Sequence, residues 1–355
     1  MSRPTRRQFL QHLAGACASG WLATQALAAE ATAIGWPSRV VQLPPDDDDQ
    51  KPPVVTAVRL HRDGQQLATA GDDHIVRVWS LADGKLIRKL NQHADWVRTI
   101  DYSPAGKLLA SAGNDRRILL WDAATGELAG EFAKHEQAIA AIRFSHDGSK
   151  LATVGFAGTI KIYDFAQRQV LSEPAAPCQD MRALAFSPDD SILAVGGRCG
   201  SLRLIAVSSG QMLRDVAAHK LRIRGIEFSS DGSYVASSGE DRHVHVLPLA
   251  DGATGFTLPD RQSKIMALKF FGPNHLAAAG SDNFVRLWDV AQQQEIGLLS
   301  GHTGSIAALE CHDKVLISAG YDTTVRVWSI ADRVAGAEPV VPQVGRAIES
   351  VPRAR

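Results

Sequence analysis

Seven glycines stand in one register along this chain of 355 residues. Gly71, Gly113, Gly155, Gly197, Gly239, Gly280 and Gly320 follow one another at steps of 42, 42, 42, 42, 41 and 40 residues. Eight residues after each comes a large apolar side chain: Trp79, Trp121, Tyr163, Ile205, Leu247, Trp288 or Trp328. A period of this length makes the chain a repeat array. Each unit is one supersecondary module that buries its apolar face only by stacking on its neighbours. One unit shows the pattern. Ala138–Phe144 is followed by a turn at Asp147-Gly148, then Leu151–Val154, the glycine turn, Ile160–Tyr163, and a last short strand near Gln169–Leu171. Asp-Gly turns between apolar segments are hairpin signals, and they recur at Asp63-Gly64 and Asp231-Gly232. Four short strands per unit, evenly spaced, predict an all-β closed architecture.

The unit length, the pairs Trp121-Asp122 and Trp288-Asp289, and Gly301-His302 at the head of the last unit resemble WD40 repeats. The resemblance spans roughly residues 39–330 and implies a seven-bladed β-propeller. The seventh unit, from Ser305 to Ile330, supplies only three strands. Arg39–Leu43 has strand composition and is expected to complete that last blade as an outer strand beside Thr324–Trp328, which would otherwise leave an open edge.

The resemblance also implies a hydrogen-bonded chain of His, Ser or Thr, Asp and Trp inside a blade. Two units match in full: His93, Ser111, Asp115 and Trp121, and His302, Ser318, Asp322 and Trp328. A third has His135 and Thr153 but Ala157 and Tyr163, and a fourth has His219, Ser237 and Asp241 but Leu247. These His and Asp residues are read as structural, not catalytic, since a buried polar chain is favourable when every member is satisfied. The matching His-to-Asp separations are 22, 22 and 20 residues, and Cys178 and Cys199 stand 21 apart in the fourth unit, with Cys199 at the Asp position. A disulfide Cys178–Cys199 is expected there. Cys311 aligns with Tyr102, Phe144, Phe186 and Phe228 and is expected buried and unbonded.

Residues 1–28 read as an address. Thr5-Arg6-Arg7, with Phe9 and Leu10 beyond, resembles a twin-arginine export signal, followed by a modestly apolar stretch from Leu13 to Leu27 and an Ala26-Leu27-Ala28 cleavage pattern. A lipoprotein reading would acylate Cys17, but the apolar stretch ahead of it is very short. Removing the leader takes away three arginines and no acid, so a chain balanced at 38 basic and 38 acidic residues becomes slightly acidic. That balance excludes a strongly basic nucleic-acid binder. With no apolar run of about 18 beyond the leader, no membrane insertion is expected after cleavage. A periplasmic location follows, an oxidising compartment where a cysteine pair can bond. The residues after Ile330 contain Pro339, Pro342 and Pro352 with little periodicity and read as a flexible tail, 331–355.

For function, the resemblance implies a non-catalytic platform for protein partners. No phosphate loop, nucleophile elbow or haem-attachment motif is present, and the innermost-strand triplets, from Thr56-Ala57-Val58 to Ala307-Ala308-Leu309, carry no histidine to hold a metal in the channel. The acidic run Asp46–Asp49 reads as a solvated loop, and His243 with His245 lacks a third metal ligand nearby. No cofactor is expected. The competing readings are a subunit of a periplasmic redox complex and a cofactor-binding propeller enzyme. The position after each register glycine varies in charge, size and polarity: Asp72, Asn114, Phe156, Arg198, Glu240, Ser281 and Tyr321. With Trp96, Asp180, Arg222 and Lys264 from the segments that lead into the innermost strands, these positions define the expected partner-binding face. Its bases and aromatics suit a partner segment carrying acidic residues.

Overall fold

A computed structural model of the chain describes residues 38–42, 54–259, 263–313 and 315–330. The segment expected to be an export signal, the acidic run Asp46–Asp49 and the segment expected to be a tail lie outside the described residues. Each of the first six repeats folds into one four-stranded antiparallel sheet, a blade, with strands in sequence order from the inside outward. In blade 2 the strands are Val97–Tyr102, Leu108–Gly113, Arg117–Asp122 and Leu128–Lys134. The second strand is buried along nearly its whole length, because blades pack on both its faces, and small residues such as Ala110, Ser111 and Ala112 suit it to that place. The fourth strand faces solvent and keeps charged and exposed positions.

The innermost strands of blades 1 to 7 are Val55–Leu60, Val97–Tyr102, Ile139–Phe144, Met181–Phe186, Ile223–Phe228, Ile265–Phe270 and Ile306–His312. Each packs against the innermost strands of its two neighbours, the first against the seventh, so the array closes into a ring. The apolar core is correspondingly divided into seven clusters, each between two adjacent blades. Leu67, Val58 and Trp79 of blade 1 meet Ile317, Ala319 and Val325 of blade 7 in one of them. In the next, Val76, Val78 and Leu90 of blade 1 meet Ile100, Leu109 and Trp121 of blade 2. Stacking of this kind is what makes seven individually marginal sheets stable together.

Blade 7 has its fourth strand from the other end of the described chain. Ser38–Gln42 lies antiparallel to Thr324–Ser329, with Ser38 opposite Trp328 and Val41 opposite Val325. Val41 points inward and is buried with Trp79 and Val325, while Val40 is exposed. Among the described residues no helix is long and apolar enough to cross a membrane.

The register glycines have a steric cause. A Cβ at Gly113 would lie 1.9 Å from the Trp96 carbonyl oxygen, and one at Gly280 would lie 1.8 Å from that of Lys264. The turn therefore presses its backbone onto the residue just before the innermost strand. The next amide completes the pinning: Asn114, Phe156, Arg198, Glu240, Ser281 and Tyr321 each donate N–H to that same carbonyl at 2.9–3.1 Å. Backbone is fixed at these positions and side chain is not, which explains a constant glycine followed by a variable residue.

Cys178 and Cys199 are disulfide-bonded, joining the segment before Met181 to the glycine turn of blade 4. Cys311 corrects the expectation of burial. It is unbonded but only partly buried. It is smaller than the aromatics at the equivalent positions, and it lines a cavity at the channel mouth. Burial still pushes its thiol up to about 12, so it stays protonated.

Candidate functional site

Every innermost strand carries a bulge at its second residue, where the pairing with the second strand slips. A bulge releases one residue from the ladder and re-aims its side chain. The seven released residues are Thr56, Arg98, Ala140, Arg182, Arg224, Met266 and Ala307, and they line the channel on the glycine-turn side. Three of the seven are arginines, all on blades 2, 4 and 5.

The arginines organise the expected binding face. Arg98 lies over the rings of Trp96 at 5.8 Å and Phe156 at 5.4 Å, and its Nε donates to Asn114 Oδ1. Arg182 stacks on Phe156 at 4.3 Å, with Nε 2.6 Å from Asp180 Oδ1. Arg222 bridges Asp180 at 3.0 Å and Glu240 at 3.1 Å, and Arg224 also pairs with Glu240. Burial lowers the Arg98 and Arg182 guanidiniums from their ordinary value, partly offset by Asp95 and Asp180 at Arg98 and by Asp180 at Arg182. Burial also raises the Glu240 carboxyl, but the hydrogen bonds and charges of Arg224 and Arg222 outweigh it and keep the group ionised.

Of the residues expected on this face, Trp96, Asn114, Phe156, Asp180, Arg222 and Glu240 thus form one contiguous network across blades 2 to 5. The others stand apart from it. Asp72 accepts the Val54 amide at 2.9 Å, and Ser281 Oγ accepts that of Lys264 at 3.0 Å, so both serve their own turns. Arg198, Lys264 and Tyr321 are exposed. Arg222 was expected as an open anchor, but its charge is already shared with two carboxylates. The more open guanidinium is Arg98, whose direct partners are an amide and two aromatic faces. Its position inside a strand hid it from sequence reasoning, and only the bulge turns it outward.

Inside the blades, Trp121 Nε1 donates to Ser111 Oγ at 2.8 Å, and Ser111 Oγ and His93 Nε2 are 2.7 Å apart. His93 Nδ1 is 2.7 Å from Asp115. Since the carboxylate needs a donor, Nδ1 carries the proton and Nε2 accepts from the hydroxyl. Blade 7 repeats this through Trp328, Ser318, His302 and Asp322 at 2.7–2.8 Å. Burial raises the Asp115 and Asp322 carboxyls, but their His and amide partners outweigh it and hold both below the usual range. Blade 5 keeps His219, Ser237 and Asp241 at 2.9 Å. The remaining blades fill the same place differently. In blades 1 and 6 an arginine four residues on, Arg77 or Arg286, binds Asp73 or Asp282. Blade 3 uses the Tyr163 hydroxyl, 2.9 Å from His135 Nε2, and leaves Thr153 Oγ1 buried without a hydrogen-bond partner. Blade 4 uses the disulfide.

The channel has two further layers. Behind the bulge residues lie small side chains, Ala57, Thr99, Ala141, Ala183, Gly225, Ala267 and Ala308, which narrow it. Beyond them stands a ring that sequence reasoning missed: Arg59, Asp101, Arg143, Ala185, Glu227, Lys269 and Glu310, one per blade at steps of 42 or 41 residues. Its charges alternate around the ring. Arg59 bridges Asp101 and Glu310, both at 3.0 Å, and Lys269 bridges Glu227 at 2.8 Å and Glu310 at 2.9 Å. Burial raises the Glu310 carboxyl, but Lys269 and Arg59 outweigh it and hold it at about 2. The common step, with each residue one place before Leu60, an aromatic or Cys311, was the signal available in the sequence. Among the described residues, no group of three or more His, Cys, Asp or Glu side chains is placed to hold a metal ion.

A closed seven-bladed β-propeller with a polar, aromatic-flanked channel mouth defines a class of repeat proteins built around one rigid disc. Seven segments, 48–80, 84–122, 126–164, 169–205, 210–246, 253–289 and 293–329, match the family described as WD40, WD domain, G-beta repeat. The chain belongs to the WD40 repeat family. It is 37% identical over 83 residues to mitochondrial division protein 1 of Mycosarcoma maydis, across 23% of this chain and 10% of that protein. It is 40% identical over 77 residues to human coronin-7, 18% of this chain and 8% of coronin-7. It is 29% identical over 70 residues to a p21-activated protein kinase-interacting protein 1-like protein of Danio rerio, 19% of each chain. The chain thus matches less than a fifth of the length of each of these relatives.

Proposed function

We propose that the chain is a non-catalytic interaction platform whose glycine-turn face binds a protein partner through a segment carrying acidic residues. The observation that carries this reading is the channel mouth of blades 2 to 5. Four guanidiniums, of Arg98, Arg182, Arg222 and Arg224, meet three carboxylates there, those of Asp95, Asp180 and Glu240, with Trp96 46% exposed beside them. An excess of positive charge framed by aromatics, on a turn whose side chains folding leaves unconstrained, is suited to recognition. The similarity to a protein named for interacting with a kinase supports the general reading.

The test is capture by the immobilised chain, repeated with Trp96→Ala and Arg98→Glu. Both changes should weaken capture more than tenfold with the melting temperature nearly unchanged. Capture that survives both places the partner on the rim or the opposite face. We also propose export in folded form by the twin-arginine route to the periplasm. The Arg6-Arg7 pair and the Cys178–Cys199 disulfide support this, since such a bond persists in oxidising compartments. Replacing Arg6 and Arg7 with lysines should hold the chain in the cytoplasm; an unchanged distribution would contradict export by this route.

A further inference from the structure

The charged ring in the channel cannot alternate perfectly, because seven is odd. The neutral place falls at Ala185 in blade 4, and the groups on either side are Arg143 of blade 3 and Glu227 of blade 5. Arg59 and Lys269 each bridge two carboxylates, but Arg143 has no ion pair among the described residues. Its Nη1 donates to the Ile142 carbonyl at 2.6 Å, while Asp101 beside it is taken up by Arg59 Nε at 3.0 Å and the Phe144 amide at 2.8 Å. Burial and the nearby Arg59 charge push the Arg143 guanidinium down to about 10. Glu227 holds Lys269 through one oxygen, and its second oxygen has no bonded partner among the described residues. An unpaired charge taken partly out of water is costly unless something compensates it.

Arg143, Ala185 and Glu227 line a cavity of about 550 Å³ that opens on the face opposite the glycine turns. That is room for a small molecule. A simple anion at the neutral place would satisfy Arg143 but sit against Glu227, and a simple cation would meet the reverse. The geometry points to a small zwitterion of the amino-acid type, its carboxylate on Arg143 and its ammonium on Glu227, lying over the Ala185 methyl. Arg143 and Glu227 also line the channel on the glycine-turn side, but the arginines of the partner face, Arg98, Arg182 and Arg224, do not line this cavity.

Calorimetric titration of the purified chain with glycine, sodium acetate and methylammonium chloride at low salt tests the assignment. Glycine should bind at least tenfold more tightly than either singly charged probe. Arg143→Met and Glu227→Gln should each weaken glycine binding more than tenfold. Ala185→Glu, which puts a carboxylate where the ligand's own would sit, should abolish binding and raise the melting temperature. Circular dichroism melts confirm that each variant is folded, and Ala185→Glu carries the test if Arg143→Met is not. No binding of glycine, acetate bound as tightly as glycine, or glycine binding indifferent to Ala185→Glu would each overturn the proposal.

Discussion

Ser111 accepts from Trp121 and bonds His93 in a fully buried place, so its hydroxyl holds two buried polar groups at once. Ser111→Ala orphans both, at about 1–3 kcal/mol for each buried group left unpaired. Thr153 occupies the same place in blade 3 but has no partner, because Tyr163 reaches His135 directly. Thr153→Val keeps the shape and removes an unsatisfied hydroxyl, so it should change stability by less than about 1 kcal/mol. Urea unfolding of the two variants decides, and equal losses would contradict the account. Glu310 gives a pH signature. Its carboxyl is held at about 2 against an ordinary 4.5, so its contribution is complete above pH 4.5 and is lost as pH falls towards 2. Glu310→Gln leaves Arg59 and Lys269 undercompensated and should cost about 3–5 kcal/mol at pH 7, as for a broken buried pair. The gap from the parent chain should narrow between pH 4.5 and 2.5. A gap constant down to pH 2.5 would assign the acid limb elsewhere.

At the scale of elements, the strand Ser38–Gln42 is the test case. It pairs with Thr324–Ser329 and buries Val41 against Trp79 and Val325. Burial of one valine stabilises by about 2 kcal/mol, and more follows from the pairing of the strand. Deleting Ser38–Gln42 should therefore lower the melting temperature by roughly 4–8 °C or more. An unchanged melt would show that blade 7 stands with three strands. Strands and turns were legible in the sequence because Asp-Gly hairpins and register glycines have steric causes that act locally. The bulges were not legible. They depend on how far the glycine turn pushes into the neighbouring strand, and no residue type marks them. Hence Arg98 read as strand interior, although the bulge makes it, with Arg182, the centre of the channel mouth, and Arg222 read as an open anchor although Asp180 and Glu240 hold it.

At the scale of the whole molecule, the ring brings together residues some 42 positions apart, so any property belonging to a layer is invisible unit by unit. The alternation of Arg59, Asp101, Arg143, Glu227, Lys269 and Glu310 is of this kind. Each is an unremarkable charge at a strand end until seven strands stand side by side. The same closure leaves two surfaces to compete for a partner. One is the glycine-turn face around Arg98 and Phe156. The other is the rim, where Val170, Leu171, Met212 and Leu213 on the outer strands Gln169–Ser172 and Met212–Ala217 are 42–58% exposed. Hydrogen–deuterium exchange of the chain with and without its captured partner separates them. The account predicts protection at the glycine turns and strand-leading segments of blades 2 to 5, including the amides of Trp96, Phe156 and Arg222. Protection confined to Gln169–Ser172 and Met212–Ala217, with those amides unchanged, would contradict it.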